Sequence, residues 1–236
     1  MTHDVNRVLN IVLPDDPAGF AGALEASARI WCVASGNRHD APLYTNPPVY
    51  GEIIAQARQA VAKGGFVILC SQKSGTETLE KKKTIVQADG SAVKIPAVLA
   101  VNPFNHNRRI HVGAAVVSQV LPKHKDYLEE LTAQLTQGFF YLGRIAVLPH
   151  YEGQGIFPLL QQKAIETAFQ QGAPCVVLSR RSESIPHDEK WADKLAAQYG
   201  EHYEVLGRAN VPERPFSETM YIIQNPTLQR DRSRDY

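Results

Sequence analysis

The stretch from Phe139 to Gln171 constrains the fold more than any other part of the sequence. It reads as an apolar strand over 139–148, which Pro149 ends, followed by a short loop with Gly153 and Gly155 and a helix predicted over 153–171. Glycines there let backbone N–H groups converge without a Cβ in the way, and a helix N-terminus adds partial positive charge. The combination predicts a cradle for an anion such as a pyrophosphate. The alternative is a plain strand-to-helix turn that uses two glycines for its geometry.

The same residues resemble the motif of a known family. The run from Ala146 to Ile156, Ala-Val-Leu-Pro-His-Tyr-Glu-Gly-Gln-Gly-Ile, is similar to the central motif of the GNAT superfamily of N-acetyltransferases. In that family a strand ending in Val-x-Pro leads into a loop of pattern Arg/Gln-x-x-Gly-x-Gly/Ala, whose backbone amides bind the pyrophosphate of acetyl-CoA. The resemblance maps the six loop positions onto Glu152, Gly153, Gln154, Gly155, Ile156 and Phe157. It also implies that Ile145, Ala146 and Val147 offer backbone groups to the pantetheine arm and a donor to the thioester carbonyl.

The resemblance implies both a fold and an activity. The fold would be α/β (α+β), with a mixed, mostly antiparallel central sheet flanked by helices. The activity would be transfer of an acetyl or other acyl group from acyl-CoA to a primary amine on a small molecule or peptide. Acetyl-CoA or another acyl-CoA is therefore the expected cosubstrate, with an acyl carrier protein left open as the donor. A homodimer is one possible assembly.

Two positions depart from the family pattern. Glu152 stands where the family has Arg or Gln, and Phe157 stands where a small residue is usual. Loss of a cationic or neutral donor at a phosphate site weakens binding by about 1–3 kcal/mol. These departures keep a second interpretation open, in which the chain is a GNAT-like module that binds an acyl-CoA or a protein without catalysis.

A tyrosine near the end of a later helix provides a second resemblance. The segment from Ala192 to Tyr203 is similar to the family's helix ending in Ala-x-x-x-Tyr, and Tyr199 falls at the tyrosine that often protonates the departing CoA thiolate. The alternative is a core aromatic, because Ala192, Leu195 and Ala196 share one helical face with it. A tyrosine can bury its ring and still present its hydroxyl, so both roles stay open.

The general base is not identified by the sequence. The candidates are His150, Glu152 and His187, and an ordered chain of water molecules is a further route for the proton. Irregular spacing and the lack of paired carboxylates argue against a metal site built from His106, His111 and His124. No metal is therefore expected.

The remaining segments predict a single domain over 1–236 with an enlarged N-terminal half, a cofactor-binding core over about 139–224 and a frayed tail over 225–236. The predicted strands are 7–13, 66–70, 84–86, 94–101, 110–121, 174–179, 203–206 and 219–223, with helices over about 15–33, 49–62, 122–137 and 184–199. The N-terminal half is expected to shape the acceptor pocket. Its candidate contributors are Trp31, Tyr44, Tyr50 and the loop 102–109.

Composition restricts the class of partner. A formal net charge of +1 gives no electrostatic case for nucleic acid or a membrane surface. The N-terminus shows no signal peptide and three scattered cysteines do not describe a disulfide framework, so a cytoplasmic protein is the expectation. An unrelated nucleotide-binding α/β enzyme is disfavoured, because neither a Gly-x-Gly-x-x-Gly run nor a Gly-Lys-Ser/Thr sequence is present.

Overall fold

The computed structural model describes residues 7–35, 64–73, 82–86, 92–96, 109–119, 127–133, 138–182, 185–212 and 217–228, together with positions 55, 58, 59, 121 and 135. The strands are β1 (Arg7–Val12), β2 (Phe66–Lys73), β3 (Lys82–Val86), β4 (Ala92–Pro96), β5 (Arg109–Ser118), β6 (Phe140–Val147), β7 (Cys175–Ser182), β8 (Tyr203–Asn210) and β9 (Ser217–Gln224). The helices are α1 (Pro17–Ser35), α2 (Glu129–Thr132), α3 (Ile156–Gln170) and α4 (Ile185–Tyr199).

Seven of the strands form one mixed sheet in the order β1-β2-β5-β6-β7-β9-β8, and β3 and β4 form a separate two-stranded sheet. The pairs β1–β2, β7–β9 and β8–β9 are antiparallel, whereas β6 and β7 are parallel. A mixed, mostly antiparallel sheet with helices is the fold class that the sequence predicts, and it is confirmed. The predicted strand 84–86 lies within β3 and the predicted strand 94–101 overlaps β4, and these two strands pair antiparallel.

The chain divides into two compact units. The first contains Met1–Val116 and Arg144–Gln162, and the second contains Val117–Gly143 and Lys163–Tyr236.

In the first unit, α1 packs against β1 and β2. The start of α1 is capped by Asp16, whose carboxylate accepts a hydrogen bond from the Gly19 backbone N–H at 3.0 Å. Leu24 of α1 and Phe66 and Ile68 of β2 are fully buried, as expected for a central strand without polar alternation.

A close approach between β5 and α3 also belongs to the first unit. An ideal Cβ on Gly113 of β5 would lie 2.9 Å from side-chain atoms of Ile156 and Leu160 and 3.2 Å from the Ala146 carbonyl oxygen. Glycine at this position therefore lets the first turn of α3 rest directly on the sheet. Because Ile156 is the first residue of α3, the same contact also positions the preceding loop relative to β5.

The second unit is built around a small cluster of fully buried side chains: Leu128, Tyr141, Val177 and Met220. Two polar pairs are also fixed here. The Tyr127 hydroxyl donates to the buried Glu218 carboxylate at 2.5 Å, and the Tyr141 and Ser179 hydroxyl oxygens lie 2.5 Å apart. Trp191 of α4 meets Tyr221 of β9 edge-on, with ring centroids 4.7 Å apart.

Several predicted boundaries differ from the structure. Of the helix predicted over 122–137, the described residues are α-helical only at Glu129–Thr132. Leu128, just before this helix, belongs to the buried cluster of the second unit, and Leu131 packs against it. The helix predicted from Gly153 begins three residues later at Ile156, because Gly153 and Gly155 have φ values of 74° and 76°. Asn225, predicted to open the tail, is buried and donates through Nδ2 to the Ala173 carbonyl at 2.9 Å. The helix predicted over 49–62 and residues 229–236 lie largely or wholly outside the described residues.

No helix among the described segments is long and apolar enough to cross a membrane.

Replacing Gly113 by Ala should lower the free energy of unfolding by about 1–3 kcal/mol, because the added methyl group cannot be accommodated without moving α3. The matched control is Gly22→Ala in α1, where an added Cβ meets nothing within 4 Å. That control should gain about 0.5–1 kcal/mol from helix propensity. Urea unfolding of the two variants measures both effects, and equal stabilities would contradict the tight packing at Gly113.

Candidate active site

The connection between β6 and α3 carries the candidate site. After β6 ends at Val147, the Leu148 N–H donates to the Val112 carbonyl of β5 at 2.8 Å, which fastens the end of the strand to the sheet. Pro149–Tyr151 then form one turn of 3-10 helix, and the Tyr151 N–H donates to the Leu148 carbonyl at 2.8 Å. Tyr151 itself is buried and anchors the turn.

The loop reverses direction through its two glycines. Gly153 and Gly155 both have the left-handed backbone conformation that favours glycine. The Gly155 carbonyl accepts a bond from the Leu159 N–H at 3.3 Å, so Gly155 is the residue at which the α3 hydrogen-bonding pattern starts. An added Cβ at either glycine would meet nothing within 4 Å, so the glycines are required by conformation, and the space beside them is open.

The two positions that depart from the family pattern both face solvent. Glu152 is exposed, with an extended backbone at the end of the 3-10 turn. The Phe157 side chain is 42% exposed on the first turn of α3. The phenyl ring is therefore not buried in the loop, and the space beside the two glycines stays open. By contrast, the side chain of Ile156, the first residue of α3, is buried.

An arginine from the other end of the sequence reaches this loop. Arg7, the first residue of β1, donates from Nη1 to the Gln154 backbone carbonyl at 2.8 Å and from Nη2 to Gln154 Oε1 at 3.1 Å. Its Nε atom is buried and has no hydrogen-bond partner among the described residues. Arg7 thus brings a fixed positive charge to a loop whose own sequence carries the negative Glu152.

Sequence reasoning missed Arg7. The two residues are 147 positions apart, so no local pattern could join them. The available signal was a cation at the start of a predicted strand, which by itself is unremarkable in any sheet protein.

On the strand that enters the loop, Ile145 is half-buried, and Ala146 and Val147 are buried. A small apolar depression, with about 10 Å³ of space and so room for about one water molecule, lies against this strand in the first unit. It is lined by residues of α1, β5 and β6: Ser27, Ala28, Trp31, Ala114, Val116, Arg144 and Ala146. The Arg144 guanidinium carbon lies 5.8 Å from the centroid of the Trp31 ring, which is within cation–π range.

Tyr199 belongs to the second unit, as the last residue of α4, and is half-buried with its hydroxyl oxygen inside the protein. Tyr203 follows at the start of β8, and its ring stacks on Tyr221 with centroids 6.0 Å apart. Burial, together with the negative charge of Asp193, raises the pKa of Tyr203. The second unit therefore offers two tyrosines in one stretch of chain, of which the sequence singled out the first.

The histidine candidates are only partly described. His150 lies in the 3-10 turn and His187 lies in α4, but their side chains are outside the described residues, as are His106, His124, Tyr44 and Tyr50. His111 Nδ1 lies 2.8 Å from the Ser71 hydroxyl oxygen, and burial lowers the pKa of this imidazole. Within the described ranges no three His, Cys, Asp or Glu side chains are placed to hold a metal ion.

The two described thiols are buried. Desolvation raises the pKa of Cys175 to about 11, and it raises the pKa of Cys70 against the opposing effect of the Arg7 charge. Both are free cysteines, and the raised pKa disfavours the reactive thiolate at each of them.

Comparison with known proteins gives a clear result at the level of structure. A protein assigned to the GNAT acetyltransferase family, from Desulfovibrio desulfuricans, matches 93% of this chain and 99% of its own at 12% identity and a TM-score of 0.50. An N-acetyltransferase from Staphylococcus aureus Mu50 matches the same shares at 13% identity and a TM-score of 0.50. No protein-family model matches the sequence, and no curated protein matches it. The chain has the fold of the GNAT superfamily.

Removing the Arg7 guanidinium should loosen the loop. In Arg7→Met, the Gln154 carbonyl and side chain lose their charged donor, which is worth about 0.5–1.5 kcal/mol for a partly exposed contact. Amide hydrogen exchange over Gly153–Phe157 should then accelerate about threefold to tenfold. Gln154→Ala is the control, because it removes only the side-chain acceptor and should have a smaller effect. Unchanged exchange in Arg7→Met would show that the loop holds its shape alone.

Proposed function

We propose that the protein is an acyl-CoA-dependent N-acyltransferase that moves an acetyl or other acyl group to a primary amine. The observation that carries the proposal is the loop from Glu152 to Ile156, which joins the end of β6 to the N-terminus of α3 through two left-handed glycines with open space beside them. The first N–H groups of a helix have no acceptor within the helix, so this geometry suits a diphosphate. The GNAT fold of the chain supports the same assignment.

Arg7 supports the proposal by changing the charge of the loop. A diphosphate beside Glu152 would be repelled by a carboxylate, and a fixed guanidinium at Gln154 opposes that repulsion. Because Glu152 is exposed, its charge is screened by solvent more strongly than that of the partly buried arginine. The departure from the family pattern at Glu152 is therefore compatible with donor binding.

The reaction requires a bond to form and another to break at one carbon. The neutral amine nitrogen attacks the thioester carbonyl carbon, the C–S bond breaks, and sulfur leaves with the electron pair. One amine proton departs and the sulfur gains one, so the products are an amide and a free CoA thiol. Backbone groups of Ile145, Ala146 and Val147 are proposed to align the pantetheine arm and polarise the carbonyl. Tyr199 is proposed as the acid for sulfur, and His150, Glu152, His187 or water as the route for the amine proton.

The second candidate function is binding of an acyl-CoA without catalysis. The observation that favours it is Phe157, a large exposed side chain on the first turn of α3 where the related motif has a small residue. Calorimetry with acetyl-CoA and with CoA, followed by an amine panel with detection of released thiol, separates the two functions. Tight binding with no thiol release from any amine would favour the binding module.

The diphosphate site can be tested with an isosteric pair of substitutions. Asn and Asp both tolerate the backbone conformation of Gly155, and both can cap the start of α3. Gly155→Asp should therefore fold as stably as Gly155→Asn but bind CoA at least about tenfold more weakly, a difference of ~1.4 kcal/mol. The difference should shrink as salt is raised, because it is a charge repulsion. Equal CoA affinities in the pair would remove the basis for a diphosphate in this loop.

The role of Tyr199 can be separated from packing. Tyr199→Phe keeps the ring and removes the hydroxyl, so kcat should fall about 100-fold or more while the dissociation constant of CoA stays within about twofold. Tyr203→Phe is the matched control, since its hydroxyl is buried on the neighbouring stretch and has no proposed role. Steady-state kinetics and calorimetry provide both readings. A loss confined to Tyr203→Phe would transfer the acid role away from Tyr199.

A further inference from the structure

A hydrogen-bonded serine and histidine lie on β2 and β5, at the edge of the sheet where β6 ends. The Ser71 hydroxyl oxygen is 2.8 Å from His111 Nδ1. Ser71 is buried, whereas His111 is exposed. Because Nδ1 meets the buried serine, a ligand would be contacted through Nε2, the other ring nitrogen. The pair therefore holds an accessible imidazole in one orientation.

The backbone places this histidine level with the start of the candidate donor loop. The next residue, Val112, accepts the hydrogen bond from the Leu148 N–H at 2.8 Å. An ideal Cβ on Gly113, one residue further, would lie 3.2 Å from the Ala146 carbonyl oxygen. Residues of β5 thus meet residues of β6 in reverse order. One step back along β5 therefore corresponds to one step beyond Leu148, at Pro149, where the loop begins.

The imidazole also lies on the α3 side of the sheet. Alternate residues of a strand point to the same face, so His111 and Gly113 share one face. An ideal Cβ on Gly113 would lie 2.9 Å from side-chain atoms of Ile156 and Leu160, so this is the face that α3 covers. Two strand residues span roughly 6.6 Å, which is the step along β5 from that contact to His111. The imidazole is thus directed to the side of the sheet that holds the N-terminus of α3.

The described charges of the loop leave a diphosphate only partly neutralised. The diphosphate of CoA is esterified at both ends and carries two negative charges. Arg7 brings one positive charge through its contact with Gln154, and Glu152 brings one negative charge. The first turn of α3, Ile156–Leu160, contains no ionisable side chain. A protonated imidazole at this edge would supply a further positive charge.

We propose that His111, oriented by Ser71, is a further anion-binding side chain of the donor site, and that it takes up a proton from solvent when the diphosphate binds at Nε2. The inference rests on the proposed function and adds a titrating group to its donor site. His111 has no part in the acyl transfer itself.

The protonation of His111 makes donor binding depend on pH. The side of the ring that meets the buried serine is desolvated, and this burial lowers the pKa of His111. Two negative charges beside the ring would raise the pKa again. Affinity for the anion is then greatest below the pKa of the unliganded protein, and the gain is lost as pH rises through the pKa of the complex.

Other ionisable groups adjoin the imidazole from the neighbouring segments. Arg7 on β1 and Glu152 in the loop are the described charged groups at this edge, and they have opposite signs. The side chains of Lys73 on β2, Arg109 on β5 and His150 in the turn after β6 lie outside the described residues. His150 is the rival source of a titration near neutral pH, so the test must separate the two histidines.

The first measurement is proton uptake by the full-length protein when dephospho-CoA binds. The diphosphate of this probe does not titrate near neutral pH, whereas the phosphate monoester of CoA does, with a pKa of about 6. Calorimetry in two buffers of different ionisation enthalpy should show uptake of about half a proton or more at about pH 6.5. Affinity should be about fivefold or more higher at about pH 6 than at about pH 8. Binding without proton uptake overturns the proposal.

Substitution of each histidine assigns the proton. His111→Gln should abolish the uptake and lower affinity about fivefold or more at about pH 6, while affinity at about pH 8 stays within about twofold. The unchanged affinity at the higher pH shows that the variant folds. His150→Gln is the matched control and should retain the uptake. Uptake that survives His111→Gln, or that is lost in His150→Gln instead, overturns the proposal.

A second measurement leaves His111 in place. NMR titration of the histidine ring signals should show one imidazole whose pKa rises when dephospho-CoA is added. Ser71→Ala removes the hydroxyl that meets Nδ1, so the ring signal that moves in this variant identifies His111. If the pKa of that imidazole is the same with and without dephospho-CoA, the proposal is overturned.

These measurements distinguish the inference from the proposed function. Failure of both CoA and dephospho-CoA to bind would remove the proposed function, and the role of His111 with it. Binding of dephospho-CoA without proton uptake at His111, together with amine-dependent thiol release from acetyl-CoA, would overturn the inference and leave the transferase activity standing. Proton uptake at His111 without thiol release from any amine would support the inference and favour the binding module.

Discussion

The tie between the end of β6 and its neighbours is the constraint on which the candidate site depends. Leu148 is hydrogen-bonded to Val112 of β5, Ile156 and Leu160 rest on Gly113 of the same strand, and Arg7 holds the Gln154 carbonyl. These contacts approach the loop from its start, its end and its middle. Between them the backbone passes through two left-handed glycines, a conformation that would be costly for other residues. The loop is thus pre-shaped by the sheet, and little conformational entropy is left for a ligand to remove.

The elements that the sequence predicted well are those in which a local pattern matches a buried environment. Cys175–Leu178 lacks alternation because β7 is buried on both faces, and Asp16 precedes α1 because its carboxylate caps the helix. The β6–loop–α3 connection was visible for the same reason, since proline and glycine mark turns directly. The segment 122–137 was misread as one long helix. Its leucines recur at helical spacing, but those described contribute to the cluster of the second unit around a helix of four residues.

The sequence could not show which residues far apart in the chain contact one another. Nothing near Arg7 indicates Gln154, and nothing near Trp31 indicates Arg144, because both pairs are made by the order of strands in the sheet. Arg144 can nevertheless be recognised in the sequence as the single charged residue in the apolar run of β6. The roles of Tyr199 and Glu152 stay predictions, since burial and backbone geometry describe their surroundings and not their chemistry. The role of His150 also stays a prediction, since its side chain lies outside the described residues.

The position of β1 at the edge of the sheet has a thermodynamic consequence. Among the described strands β1 pairs only with β2, and Ile11 near its far end and Leu13 just after it are 37% and 38% exposed. Such a strand opens more readily than a central one, and each opening would withdraw Arg7 from the loop. Occupancy of the loop and attachment of the N-terminal strand are then linked equilibria. An anion bound at a loop 147 residues away along the chain would stabilise the first strand, and a partner that displaced that strand would lower affinity for the anion.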